Sequence, residues 1–109
     1  MENLLTVAFE AHHKERNHHR YYEVAIGRDL LDAWTVAIRY GRIGRGCQKR
    51  CFASQRPDEM RKVVREHLQR RLSARKRIDC AYRLSSLNSI PGFDAGPWLP
   101  GDLMAKFFG

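Results

Sequence analysis

Three stretches of strict two-residue alternation, followed by one helical stripe, restrict this chain to a sheet with a single covered face. Residues 4–12 put Leu5, Val7, Phe9 and Ala11 on one side, with Thr6, Ala8 and Glu10 on the other. Residues 20–26 set Tyr22, Val24 and Ile26 against Tyr21, Glu23 and Ala25. Residues 33–40 set Trp34, Val36 and Ile38 against Thr35, Ala37 and Arg39. Successive side chains of a strand point to opposite faces, so period two marks a half-buried strand. Cys47 to Ala53 is short and β-like, and residues 79–84 alternate Cys80, Tyr82 and Leu84 against Asp79, Ala81 and Arg83. Between these two the period changes. Met60, Val63, Val64, His67, Leu68, Arg71 and Leu72 recur at threes and fours, an amphipathic helical stripe. Pro57 suits a first helical position, Asp58 and Glu59 suit the positive end of the dipole, and Ser54 or Arg56 lies just before. The expected fold class is α+β: an antiparallel β-sheet of about five strands with one long amphipathic helix packed on it.

At 109 residues the chain is long enough for a core without disulfide or metal staples. Its three cysteines have no framework spacing and fit reduced thiols. No apolar run approaches the roughly 18 residues that cross a bilayer, and the N-terminus lacks the basic region of a signal peptide. A cytoplasmic protein that does not engage membranes is expected. Ser85 to Gly109 holds three of the four prolines and four glycines, with Phe93, Trp98, Leu103, Met104, Phe107 and Phe108 too apolar for a free tail. The expected organisation is a domain over residues 1–84 and an extension over 85–109 that packs on the domain, on a protein partner or on a second copy. Within the extension, residues 102–108 suit a last helical turn.

Net charge is +8, and its distribution is uneven. Residues 39–83 hold fifteen Lys or Arg against four Asp or Glu, a net +11, whereas residues 1–38 carry −2 and residues 84–109 carry −1. Such confinement points to a polyanionic partner. Inside it, Arg39-Tyr40-Gly41-Arg42-Ile43-Gly44-Arg45-Gly46 packs three glycines and three arginines into a hairpin connection. Glycine permits close backbone approach, and the guanidinium fork suits phosphate. Parity sends Tyr40 inward as a rim residue, while the glycine after it can equally end the pleat and turn the ring outward. Four histidines flank the polar stretch 12–19, but no cysteine or carboxylate spacing completes a metal site, so a solvated loop is expected and no metal or other cofactor. With the histidines clustered, the acids scattered and no nucleophile beside an obvious base, an enzyme is not expected.

These elements resemble the WGR domain, the module named for its Trp-Gly-Arg motif. The resemblance is carried by Trp34-Thr35-Val36-Ala37-Ile38-Arg39-Tyr40-Gly41-Arg42-Ile43-Gly44-Arg45-Gly46, by Arg20-Tyr21-Tyr22 in the preceding strand, and by the basic helix leading to Cys80-Ala81-Tyr82. It covers residues 4–84. Tyr40 stands where the family has its tryptophan, and Ala81 where it usually has glycine. In poly(ADP-ribose) polymerases the module helps recognise DNA ends through the motif's Trp and Arg. The resemblance therefore implies Tyr40 against a sugar or base and Arg42 on the backbone, with a narrower ring weakening the stacking. The expected function is a non-enzymatic nucleic-acid-binding module, DNA ahead of RNA, contacting phosphates through Arg39, Tyr40, Gly41, Arg42, Arg45, Lys49, Arg61 and Arg65. The alternative is a protein-interaction module that assembles a DNA-handling complex, its tail aromatics buried in a partner or a homodimer.

Overall fold

The computed structural model describes residues 2–13, 18–42, 46–72, 82–99 and 101–106. Strands β1 (Glu2–His13), β2 (His18–Arg28), β3 (Trp34–Arg42) and β4 (Cys47–Ser54) precede helix α1 (Pro57–Leu72). Strand β5 (Arg83–Ser89) and a short helix α2 (Gly101–Lys106) follow. The sheet order is β4-β3-β2-β1-β5, with every neighbouring pair antiparallel. The α+β expectation therefore holds, with five strands and a 16-residue helix lying over β3 and β4.

Alternation sets the register. Val7 pairs with Val24 and Phe9 with Tyr22, while Val24 pairs with Ile38 and Ile26 with Val36, so the apolar positions of three strands coincide on one face. A slip of one residue would turn each set to solvent. Leu5, Val7, Phe9, Val24, Ile26, Val36 and Ile38 are all buried there, capped by Met60, Val64 and Leu68 of α1. The helix starts where expected. Ser54 Oγ accepts from the Arg56 amide at 3.0 Å and donates to Glu59 Oε2 at 2.7 Å, tying the first turn to the end of β4.

The β2–β3 turn is built by Asp29, whose Oδ1 accepts from the Leu31 and Ala33 amides at 2.9 and 3.0 Å. Asp32 sits there at φ 63°, a left-handed conformation that Asp tolerates, and pairs with Arg28 at 2.8 Å.

Three boundaries differ from expectation. His12, His13, His18 and His19 lie within strands rather than a loop, because β1 and β2 keep pairing through His12↔His19 and His13↔His18. The last described strand is Arg83–Ser89, which shares Arg83 and Leu84 with the expected 79–84 and runs five residues further; residues 79–81 lie outside the described residues. Its polar composition hides it, since as an edge strand it leaves most side chains exposed, and a bulge opposite Ala8 and Phe9 interrupts its period. The expected helical turn at 102–108 forms over Gly101–Lys106, with 107–109 outside the described residues.

Residues beyond 84 contribute to the same core. Trp98 is 2% exposed, its ring 5.2 Å from Trp34 and 5.2 Å beneath the Arg61 guanidinium, and Leu99, Leu103 and Met104 are buried beside it. Truncating so large a buried ring leaves a cavity the sheet cannot close, so Trp98→Ala should cost about 3–5 kcal/mol. Urea denaturation followed by far-UV circular dichroism measures that loss.

Candidate nucleic-acid interface

The alternation that builds the core also decides which cations meet. Tyr40 continues the covered side of β3 after Val36 and Ile38, so its ring stays at the rim of the core; it lies 6.3 Å from the Tyr22 ring and donates to Gln48 Oε1 at 2.8 Å. Two residues on, Arg42 takes the same side, opposite Arg20 of β2. The last turn of α1 comes down over this end of the sheet. It places the Arg71 guanidinium 4.8 Å over the Tyr22 ring and 5.7 Å over that of Tyr40. Tyr82, just before β5, closes the far wall with its ring edge-on to Tyr22 at 6.3 Å.

The result is a groove of about 280 Å³ lined by Arg20, Tyr40, Gly41, Arg42, Arg71 and Tyr82. Three of these six are arginines and none is acidic. The Nε atoms of Arg20 and Arg71 are shielded from solvent and have no hydrogen-bond partner among the described residues. An anion entering the groove can accept charge-assisted hydrogen bonds from the guanidinium groups, which are stronger than neutral ones. Burial pushes the Tyr22 hydroxyl above its ordinary range, which keeps the platform beneath Arg71 neutral.

Gly41 allows the closure of this wall. A Cβ there would stand 3.0 Å from the Gly46 carbonyl oxygen and 3.2 Å from Cys47 Cα, both backbone atoms.

Of the residues expected from sequence, Tyr40, Gly41 and Arg42 line the groove. Arg39 and Lys49 pair with one another on the opposite, open face of the sheet. There Arg39 Nη2 is 3.9 Å from Cys47 Sγ, and hydrogen bonds from Tyr21 and then Arg39 lower the Cys47 thiol below its usual range. Arg61 sits at the other end of α1, bonded to Asp58 at 3.3 Å and stacked over Trp98. Arg65 is exposed on α1, and Arg45 lies outside the described residues. Arg20, Arg71 and Tyr82 were absent from the sequence-derived set. The signal for Arg71 was present, a cation inside an otherwise apolar helical stripe. Arg20 is the even-numbered neighbour of Tyr22 on its strand and shares its side.

The model of the WGR domain family matches residues 5–76, about two thirds of the chain. The chain belongs to the WGR domain family. That family is known for nucleic-acid binding in poly(ADP-ribose) polymerase-like proteins. No curated protein and no solved structure matches the chain significantly. The matched span of this WGR chain takes in β1 to β4 and α1; β5, Trp98 and α2 lie beyond it. The WGR motif position itself, Tyr40-Gly41-Arg42, forms one wall of the arginine groove.

Because the atoms facing a new methyl are backbone, Gly41→Ala should open the β3–β4 hairpin at this wall and cost about 1 kcal/mol or more. Thermal unfolding measures the cost, and an unchanged or raised midpoint would show that the hairpin absorbs the methyl.

Proposed function

We propose that this WGR chain is a non-enzymatic nucleic-acid-binding module whose groove takes backbone phosphates. One observation carries the reading: Arg20, Arg42 and Arg71 converge from two strands and a helix with no carboxylate among the groove lining. Family membership supports a nucleic acid as the anion, and DNA ahead of RNA is part of the proposal. The Arg71 guanidinium already lies over the Tyr40 ring, so phosphate contact outweighs base stacking at this site. Recognition is then of backbone shape, ends or single strands rather than of base sequence. Arg65 and the rest of the exposed basic surface of α1 extend the positive field beyond the groove.

A protein-interaction role draws on a different place. Leu30 and Leu31, 95% and 81% exposed, stand on the Asp29-bonded β2–β3 turn at the end of the sheet away from the groove. Trp98, by contrast, is taken up by the chain's own core and offers little to a partner.

Fluorescence anisotropy with a labelled short duplex bearing an exposed end, and with a matching single strand, tests the nucleic-acid reading across a salt series. Replacing Arg20, Arg42 or Arg71 by Gln should weaken binding and reduce the slope of log K against log salt by about 1 each. Lys49→Gln, on the opposite face, should leave the slope nearly unchanged. Absence of binding at low salt, or equal sensitivity to Lys49, would contradict the assignment.

A further inference from the structure

At the same end of the sheet, on the open face, β1 and β2 set His12 directly opposite His19. Their Nδ1 atoms are 2.8 Å apart, with ring centroids at 5.1 Å and planes inclined by 57°. For that contact one nitrogen must present a proton and the other a lone pair. Two imidazole nitrogens this close on neighbouring strands can also be joined by one metal ion. A metal with M–N bonds of about 2.0–2.1 Å in tetrahedral geometry needs its nitrogens about 3.3 Å apart. That is roughly half an ångström more than the present separation, within reach of small side-chain rotations.

The surroundings of His12 fit this use. Its other ring nitrogen, Nε2, lies 3.8 Å from Glu10 Oε1, while Glu10 Oε2 accepts from Ser85 Oγ at 2.9 Å. In metal sites the ligating histidine commonly directs its second nitrogen at a carboxylate, which fixes the tautomer and raises ligand basicity. At 3.8 Å Glu10 is a charged neighbour of His12 rather than a hydrogen-bond partner, and it supplies negative charge beside a bound cation. The cluster spans three strands: Ser85 on β5, Glu10 and His12 on β1, His19 on β2.

We propose that His12 and His19 bind a divalent transition metal of the zinc class, Glu10 supporting His12 and water completing the coordination. Imidazole selects such ions over calcium or magnesium, which favour oxygen ligands. Among the described residues no set of three or more His, Cys, Asp or Glu side chains is arranged around one metal position, so these residues supply two protein ligands. Bound metal displaces the proton shared by the two rings, so binding weakens in acid. It also joins β1 to β2 where Arg20 enters the groove, but the proposal stands independently of any nucleic acid.

Isothermal titration of the full chain with zinc chloride, under reducing conditions in a non-chelating buffer, tests it. His12→Ala and His19→Ala should each weaken the site at least tenfold, Glu10→Gln by a smaller factor, and Cys47→Ser with Cys51→Ser not at all. Zinc should raise the unfolding temperature of the wild type and not of His12→Ala, with both folded alike in its absence. No binding at millimolar zinc, binding that survives both histidine changes, or binding lost with the cysteines would overturn the proposal.

Discussion

The Arg71 guanidinium over Tyr22 and Tyr40 is the contact on which the functional end of this protein depends. It ties the C-terminal turn of α1 to the middle of the sheet, where a cation also meets the negative end of the helix dipole. A lysine would not serve equally well, because the planar guanidinium stacks on the rings and still directs N–H groups sideways into the groove. Without that stacking, three like charges within one small groove would drive Arg71 away from Arg20 and Arg42. The neutral tyrosine platform offsets part of that repulsion and leaves the site electropositive.

The sheet divides the labour between its two sides. Its covered face buries Val7, Phe9, Val24, Ile26, Val36 and Ile38 in one core with α1 and the segment around Trp98, and ends, at the rim, in the tyrosines and arginines of the groove. Its open face carries small and polar side chains, with Arg39, Cys47 and Tyr21 near β4 and the His12–His19 pair near β5. At the other end of the molecule Trp34 and Trp98 anchor the segment after β5, so residues outside the family-matched span complete the core. Anchoring and the proposed anion site thus occupy opposite ends of one helix, Arg61 lying at the first and Arg71 at the second.

Strands β1 to β3 and α1 were legible because each presents an apolar set with the period of its own backbone. β5 was not, since an edge strand of serine and asparagine has no apolar side to reveal it. The motif loop was legible as chemistry: Tyr40, Gly41 and Arg42 are at the groove. Charge counting along the chain groups residues that the sheet separates. Arg39 and Arg42 are three apart, an odd interval that a strand resolves onto opposite faces, whereas a sequence cluster treats them as one. Arg71 falls in the apolar stripe of α1 by its spacing, and its chemistry is not legible there because the tyrosine rings that make a cation acceptable come from β2 and β3.

The central claim is that anions meet this protein on the helix side of the motif end and not across the basic residues at large. Observing arginine Nε–H resonances by NMR while adding a short phosphorylated oligonucleotide tests this most directly. The account predicts that the Arg20, Arg42 and Arg71 signals move first and together, while Arg39 and Arg61 stay in place at the same concentrations. Shifts led by Arg39, or spread evenly over every exposed arginine, would contradict it.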